Sequence, residues 1–172
     1  MIKTKTPLVH CPSSNLKLAS GIAPTEIYLK KKLTLALGAD GAPCNNTMDP
    51  FMEMRLTALI QKPIYGSDAM PARKAMEMAT LGGAKTMGRE KDLGSLEVGK
   101  LADVVTIDRS HPSVCTVENP YSAIVYSCSG RDVKNVFIGG RQVVSNGIST
   151  VWDEGDVTTK SKKAIQTILK KI

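Results

Sequence analysis

Aromatic residues are few, seven in 172, and nowhere interleaved with basic side chains as in nucleic-acid-binding modules. The net charge of +7 therefore reads as solvated basic faces, since the lysines are scattered apart from "LKKKL" at 29–33 and the tail "KSKKAIQTILKKI". No nucleic-acid partner is expected. Cys11, Cys44, Cys115 and Cys128 include no C-x-x-C pair, so neither a zinc knuckle nor a dithiol redox site is indicated. Scattered thiols without a signal peptide fit a reducing, cytoplasmic setting. No apolar run approaches the roughly 18 residues that span a bilayer, so a soluble chain without a membrane partner is expected. Histidine is the scarcest chemical group, with only His10 and His111.

The composition, 42% hydrophobic and 23% charged, is that of a globular protein with one core, or one core and a small appendage. "TPLVH" reads as a short buried strand stopped by the polar "CPSSN", where Pro12 restricts the preceding residue and Ser13, Ser14 and Asn15 favour turns. "APTEIYLKKK" is a short helix opened by Pro24, and "LTLALGADG" a second strand. This β-α-β unit predicts two parallel strands whose following loops lie on one edge. Asp49 and Pro50 look like the N-cap and first residue of a helix over "FMEMRLTALIQK". Another helix starts at Pro71, carries Ala72, Ala75, Met76 and Ala79 at helical spacing, and ends at a left-handed Gly88.

From about Leu93 the pattern turns to period two. "LADVVTID", "YSAIVYSC" and "NVFIGGRQVV" read as strands of a small β-module, with Gly139 and Gly140 as a two-residue hairpin turn. The tail from about Glu154 aligns Ala164, Ile165, Ile168, Leu169 and Ile172 opposite lysines, which predicts an amphipathic helix docked on an apolar surface.

Reactive side chains of α/β enzymes sit at the C-terminal ends of parallel strands, because the loops there vary while the strands hold geometry. His10 and Asp40 both occupy such ends. Together they can serve one substrate or metal ion, the imidazole as electrophile or base and the carboxylate as ligand or proton acceptor. From pattern alone the alternative stands that His10 is a hydrogen-bonded strand-end residue and Asp40 a turn former before Gly41. Asn45 and Asn46 can orient a substrate or support Asp40, or merely satisfy loop backbone. His111 in a polar loop and Cys44 in "APCNN" read as structural.

The ordered set "HCPSSNLKLASGIAP", "LALGADGAPCNN", "EMRLTALIQK", "GSLEVGKLADVVTID" and "NPYSAIVYSCSGRDVKNVFIGGRQVV" closely resembles the C-terminal part of the metal-dependent amidohydrolases. The branch resembled is that of methylthioadenosine/S-adenosylhomocysteine deaminases, guanine deaminases and triazine chlorohydrolases. The wording around His10 and "NNTMDPFMEMR" is most similar to the first of these. The resemblance runs from about Leu8 to Gly147. It implies an α/β fold: the last two strands and helices of a TIM (β/α)8 barrel, part of a small β-sandwich, and a C-terminal helix. Residues 1–92 would be the partial barrel, 93–150 the sandwich portion and 151–172 the tail helix.

The resemblance further implies zinc-dependent hydrolytic deamination of a purine nucleoside such as 5′-methylthioadenosine or S-adenosylhomocysteine. Asp40 matches the aspartate that ligates Zn²⁺ (or another divalent metal) and accepts a proton, and His10 a histidine contacting the water or the reacting centre. Asn45 and Asn46 remain supporting candidates. The family's H-x-H pair, its third histidine and its proton-shuttling glutamate have no counterpart here, and Ala39 stands where a small hydroxyl residue is usual. A catalytic zinc normally has three protein ligands plus water, so this chain is expected to be inactive alone and to need an N-terminal half, or to self-associate through the edges of its two barrel strands. Guanine or a triazine is the alternative substrate, and a non-catalytic assembly module the alternative role.

Overall fold

The loop after each of the first two strands carries the candidate chemistry, so the strand register decides where that chemistry sits. A computed structural model describes residues 3–171. In it β1 (Leu8–His10) and β2 (Leu35–Leu37) pair in parallel, with His10 opposite Leu37. His10 thus ends one strand, and Asp40 follows the other by three residues, both at the C-terminal edge. The crossover holds α1 (Pro12–Lys17) and α2 (Thr25–Lys30). The first is a correction: "CPSSN" does not turn away but winds at once into a helix, because a proline at its first position has a suitable φ and lacks only an N–H the helix would not use.

After β2 come α3 (Ala42–Asn45) and α4 (Pro50–Ile60). Asp49 caps α4, its Oδ1 accepting from the Phe51 N–H at 2.9 Å, as Ser/Asp-type caps do. Next are α5 (Lys62–Tyr65) and α6 (Ala72–Glu77), which runs through a π-helical segment, Met78–Gly82, into α7 (Gly83–Thr86). Gly88 lies at φ +66°, the left-handed cap that the sequence suggests. The π segment packs against β2, and α4 against α6.

"YSAIVYSC" is a second correction. Its residues form α9 (Pro120–Ser122) and a π-helical turn, Ala123–Ser127, that packs on α4 and α6. Asn119 caps this segment by accepting from the Tyr121 and Ser122 N–H groups at 3.0 and 3.1 Å. An Asn-Pro start outweighs the β-branched composition. Before it, α8 (Pro112–Cys115) is capped by His111, whose Nδ1 accepts from the Ser113 N–H.

The remaining strands β3 (Val104–Ile107), β4 (Val133–Ile138), β5 (Arg141–Ser145) and β6 (Ile148–Ser149) form an antiparallel sheet in that order. Gly139 and Gly140, at φ +55° and +81°, make the turn between β4 and β5.

The chain divides into two compact units: everything up to Leu101 with Arg109–Asp132, and Ala102–Asp108 with the chain from Val133 onward. The boundary expected near residue 93 is thus displaced, because 109–132 is helical and packs with the first unit's helices. Among the described residues, every buried one belongs to the first unit, including Ala58, Met70, Ala75, Met78, Val114, Val125 and Cys128. The tail forms α10 (Glu154–Leu169), but no residue of it is buried. Ile165, Ile168, Leu169 and the preceding Trp152, the residues expected to face an apolar surface or lie next to it, are exposed. Among the described residues, no helix is long and apolar enough to cross a membrane.

Candidate functional site

His10 is 2% exposed, and neither ring nitrogen has a hydrogen-bond partner among the described residues. Burial lowers its pKa below the ordinary histidine value, and the nearby Glu53 charge only partly opposes this. His10 is therefore neutral at neutral pH, with one N–H donor and one lone pair.

The linkage gives a stability prediction. In the unfolded chain the imidazole protonates near its ordinary pKa of about 6.5, while in the folded chain it protonates only at lower pH. Between the two the unfolded state binds more protons, so stability falls on acidification. Urea midpoints measured from pH 7.5 down to 5 are expected to decline through this window, and His10→Gln to flatten the decline. An unchanged slope in His10→Gln would assign the pH dependence to other groups.

Asp40 adopts φ +61°, a left-handed conformation that Asp and Asn tolerate better than other non-glycine residues. Its exposed carboxylate accepts from the Ser14 hydroxyl at 2.6 Å. That bond, with further donation from the Gly41 backbone N–H and the Cys44 thiol, holds the Asp40 pKa below the ordinary carboxylate value. Asp40 is ionised at neutral pH. A buried neutral imidazole and an ionised carboxylate thus occupy the ends of two adjacent parallel strands.

Asn45 is buried behind the Asp40 loop. Its Nδ2 donates to the Ala39 carbonyl and to Glu53 Oε1, both at 2.8 Å, and its Oδ1 accepts from the Met48 N–H at 2.9 Å. Asn46 is exposed at φ +68° and accepts from Lys17 Nζ, which also donates to the Pro43 carbonyl at 2.7 Å. Asn45 thus sits within the loop's support and Asn46 on its outer surface. His111, capping α8, is far from this role in the chain and exposed.

Sequence reasoning missed Ser13, Ser14 and Glu53. The two serines read as turn formers, yet Ser14 holds Asp40 and Ser13 donates to Glu53 through both its N–H, at 3.2 Å, and its hydroxyl. Glu53 was visible as one acid within the apolar run "FMEMRLTAL", and a charge on a helix face that is otherwise buried is the signal that marks it.

Among the described residues, no three His, Cys, Asp or Glu side chains lie together as a metal-holding group. Asp40 offers a carboxylate and His10 an unpartnered imidazole, short of the three protein ligands a catalytic zinc normally takes. These residues alone do not fit a metal ion.

The sequence model of the amidohydrolase family matches residues 1–143, and the chain belongs to that family. It has the fold of the family's C-terminal part: β1 and β2 as the last two parallel strands of a TIM barrel, part of a β-sandwich, and a terminal helix. It is 44% identical over 159 residues to a 5-methylthioadenosine/S-adenosylhomocysteine deaminase of Teredinibacter turnerae, covering 92% of this chain and 34% of that protein. An adenosine deaminase from Xanthomonas campestris, solved with bound zinc, superposes with a TM-score of 0.91 at 33% identity, covering 94% of this chain and 37% of that one. A variant atrazine chlorohydrolase from Arthrobacter aurescens, complexed with zinc and atraton, gives a TM-score of 0.83 at 25% identity, covering 91% and 35%. The chain thus spans about a third of the length of these relatives.

Proposed function

We propose that this chain supplies His10 and Asp40 to a zinc-dependent aminohydrolase that deaminates a purine nucleoside, 5′-methylthioadenosine or S-adenosylhomocysteine in the first instance. The observation that carries the proposal is the neutral, buried, unpartnered His10 imidazole beside the ionised, hydrogen-bonded Asp40 at neighbouring strand ends. Deamination replaces an exocyclic amino group with oxygen from water and releases ammonia. Asp40 is available to accept the proton that water must lose, since it is ionised at neutral pH and its second oxygen is free of the Ser14 bond. His10 presents its ring N–H to the oxygen that develops charge, as a neutral donor in a dry wall of the site.

The metal of the solved relatives would be held chiefly by donors outside this chain, with Asp40 as its one contribution. The partner is accordingly an N-terminal amidohydrolase half, and the four free cysteines favour a reducing, cytoplasmic setting. Apolar residues left at the surface of the first unit, Val9 of β1 at 50% exposed and Leu16, Leu18 and Ile22 of the crossover, support such a partner.

The test mixes the full chain with an N-terminal segment of the Teredinibacter turnerae relative that supplies the rest of the barrel, adds zinc, and measures ammonia release. Deamination of 5′-methylthioadenosine or S-adenosylhomocysteine is expected from the mixture and not from either part. Turnover of guanine or a triazine in preference would reassign the substrate. No turnover, together with no co-elution of the two parts, would leave the chain as an assembly module.

A further inference from the structure

Glu53 is 2% exposed on a helix whose other buried residues are Phe51, Met54, Thr57 and Ala58. No lysine or arginine pairs with it among the described residues. A buried carboxylate without a cation is costly unless its oxygens are well supplied with donors. If its task were only to seat α4, an apolar side chain of similar size would serve as well or better.

Its donors come from the two segments that follow the strands, α1 after β1 and α3 after β2. Ser13, three residues beyond His10, gives its N–H at 3.2 Å and its hydroxyl. Asn45, five residues beyond Asp40, gives Nδ2 at 2.8 Å to Glu53 Oε1, and the same nitrogen reaches the carbonyl of Ala39, Asp40's neighbour, at 2.8 Å. The other side-chain ties between these segments, Ser14 to Asp40 and Lys17 to Pro43 and Asn46, end on exposed groups open to solvent competition, and beside them the Gly38 backbone N–H donates to the His10 carbonyl at 2.9 Å. The Glu53 tie ends on an acceptor shielded from water, where hydrogen bonds to a charge are strongest.

We infer that Glu53 is a positioning residue: one buried carboxylate ties the loop after β1 to the loop after β2 and so fixes His10 and Asp40 relative to each other. Its catalytic consequence rests on the function proposed above. Its structural consequence does not. Helix α4, capped by Asp49, is the bar from which the carboxylate reaches both segments, so a helix outside the strands reinforces the placement that their parallel pairing, His10 opposite Leu37, begins.

The test uses Glu53→Gln in the full chain, with Ser13→Ala and Asn45→Ala each detaching one loop. Gln keeps the shape but replaces one acceptor with a donor that faces other donors. By amide hydrogen exchange, Ser13 and residues 39–48 should lose protection by about tenfold or more, while the β4–β5 hairpin is unchanged. In the reconstituted enzyme kcat should fall by about 10- to 100-fold, the usual scale for a supporting carboxylate, with KM nearly constant. Adding Ser13→Ala and Asn45→Ala to Glu53→Gln should cost little more, because the three act as a unit. Unchanged exchange in both loops, or a loss confined to KM, would overturn the inference. If Glu53→Gln does not fold, the Ser13→Ala and Asn45→Ala pair gives the same readouts. If the reconstituted wild type deaminates nothing, the proposed function falls and the exchange data alone decide whether Glu53 ties the loops.

Discussion

Asp40→Asn should reduce ammonia release by the reconstituted enzyme by about 10³-fold, within the range for losing a group that moves a proton in the transition state. The substitution is chosen because it changes so little else. Asparagine is isosteric, its carbonyl oxygen can still accept from the Ser14 hydroxyl now at 2.6 Å, and it tolerates φ +61° as aspartate does. The side chain is exposed, so the thermal midpoint should stay within about 2 °C of wild type, as for surface changes worth under ~0.5 kcal/mol. What is lost is the charge and the proton affinity. Turnover and stability measured on the same preparation therefore separate the two readings left open by the sequence. A turn former would leave turnover within about tenfold of wild type, and that result would remove Asp40 from the chemistry. The Ser14→Ala variant refines the argument: without that hydroxyl the leading cause of the low Asp40 pKa is gone, so the acid side of the rate profile should move upward in pH while the maximal rate falls less than in Asp40→Asn.

The strands that carry the site were legible because their signals are local. "TPLVH" and "LTLALGADG" are short apolar runs ended by proline, glycine and aspartate, and a helical crossover is the usual connection of a parallel pair. The β4–β5 hairpin was legible for the same reason, since two consecutive glycines at positive φ satisfy a tight turn that few other residues can make. The helix over Pro50–Ile60 was announced by Asp49 and Pro50, a cap and a first residue side by side.

What was not legible depended on packing across long sequence distances. "YSAIVYSC" has strand composition but folds as helix because Ala123 and Val125, both fully buried, face α4 and α6, and Arg55 on α4 donates to the Val125 and Cys128 carbonyls at 3.3 and 2.7 Å, satisfying backbone groups at the end of that turn. Nothing within eight residues shows this. The first unit therefore reaches past the first sheet strand to recover 109–132, and a boundary drawn from periodicity alone misses the return. The same limit hid Glu53: its partners lie 40 and 8 positions away, and only their meeting point makes a glutamate in an apolar helix sensible. The resemblance to the amidohydrolases singles out His10 and Asp40 as candidates, which periodicity leaves undecided, but it says nothing about what holds them.

Gly82→Ala should be the most destabilising single-methyl change in the first unit. Gly82 closes the π-helical segment with ordinary helical dihedrals, φ −61°, so backbone freedom is not what it provides. A Cβ built there would sit 2.1 Å from the Leu35 carbonyl oxygen and 3.1 Å from its carbon. Backbone cannot yield as a flexible side chain can, and Leu35 is pinned in β2 opposite Leu8. Either the helix must lift from the strand, exposing Met78 and the other residues buried there, or the parallel pair must shift and carry the His10 and Asp40 loops with it. Overpacking ordinarily costs about 1–3 kcal/mol, and a clash with fixed backbone belongs at or above the top of that range. About 3 kcal/mol would be a large share of the roughly 5–15 kcal/mol that holds a typical domain together. The next residue is the internal control. Gly83 is helical at φ −58° with nothing within 4 Å of a built Cβ, so Gly83→Ala should stabilise by about 0.4–1 kcal/mol by restricting the unfolded chain. Urea midpoints of the two variants should therefore move in opposite directions. Equal midpoints would show that the helix does not press on β2 as closely as 2.1 Å requires.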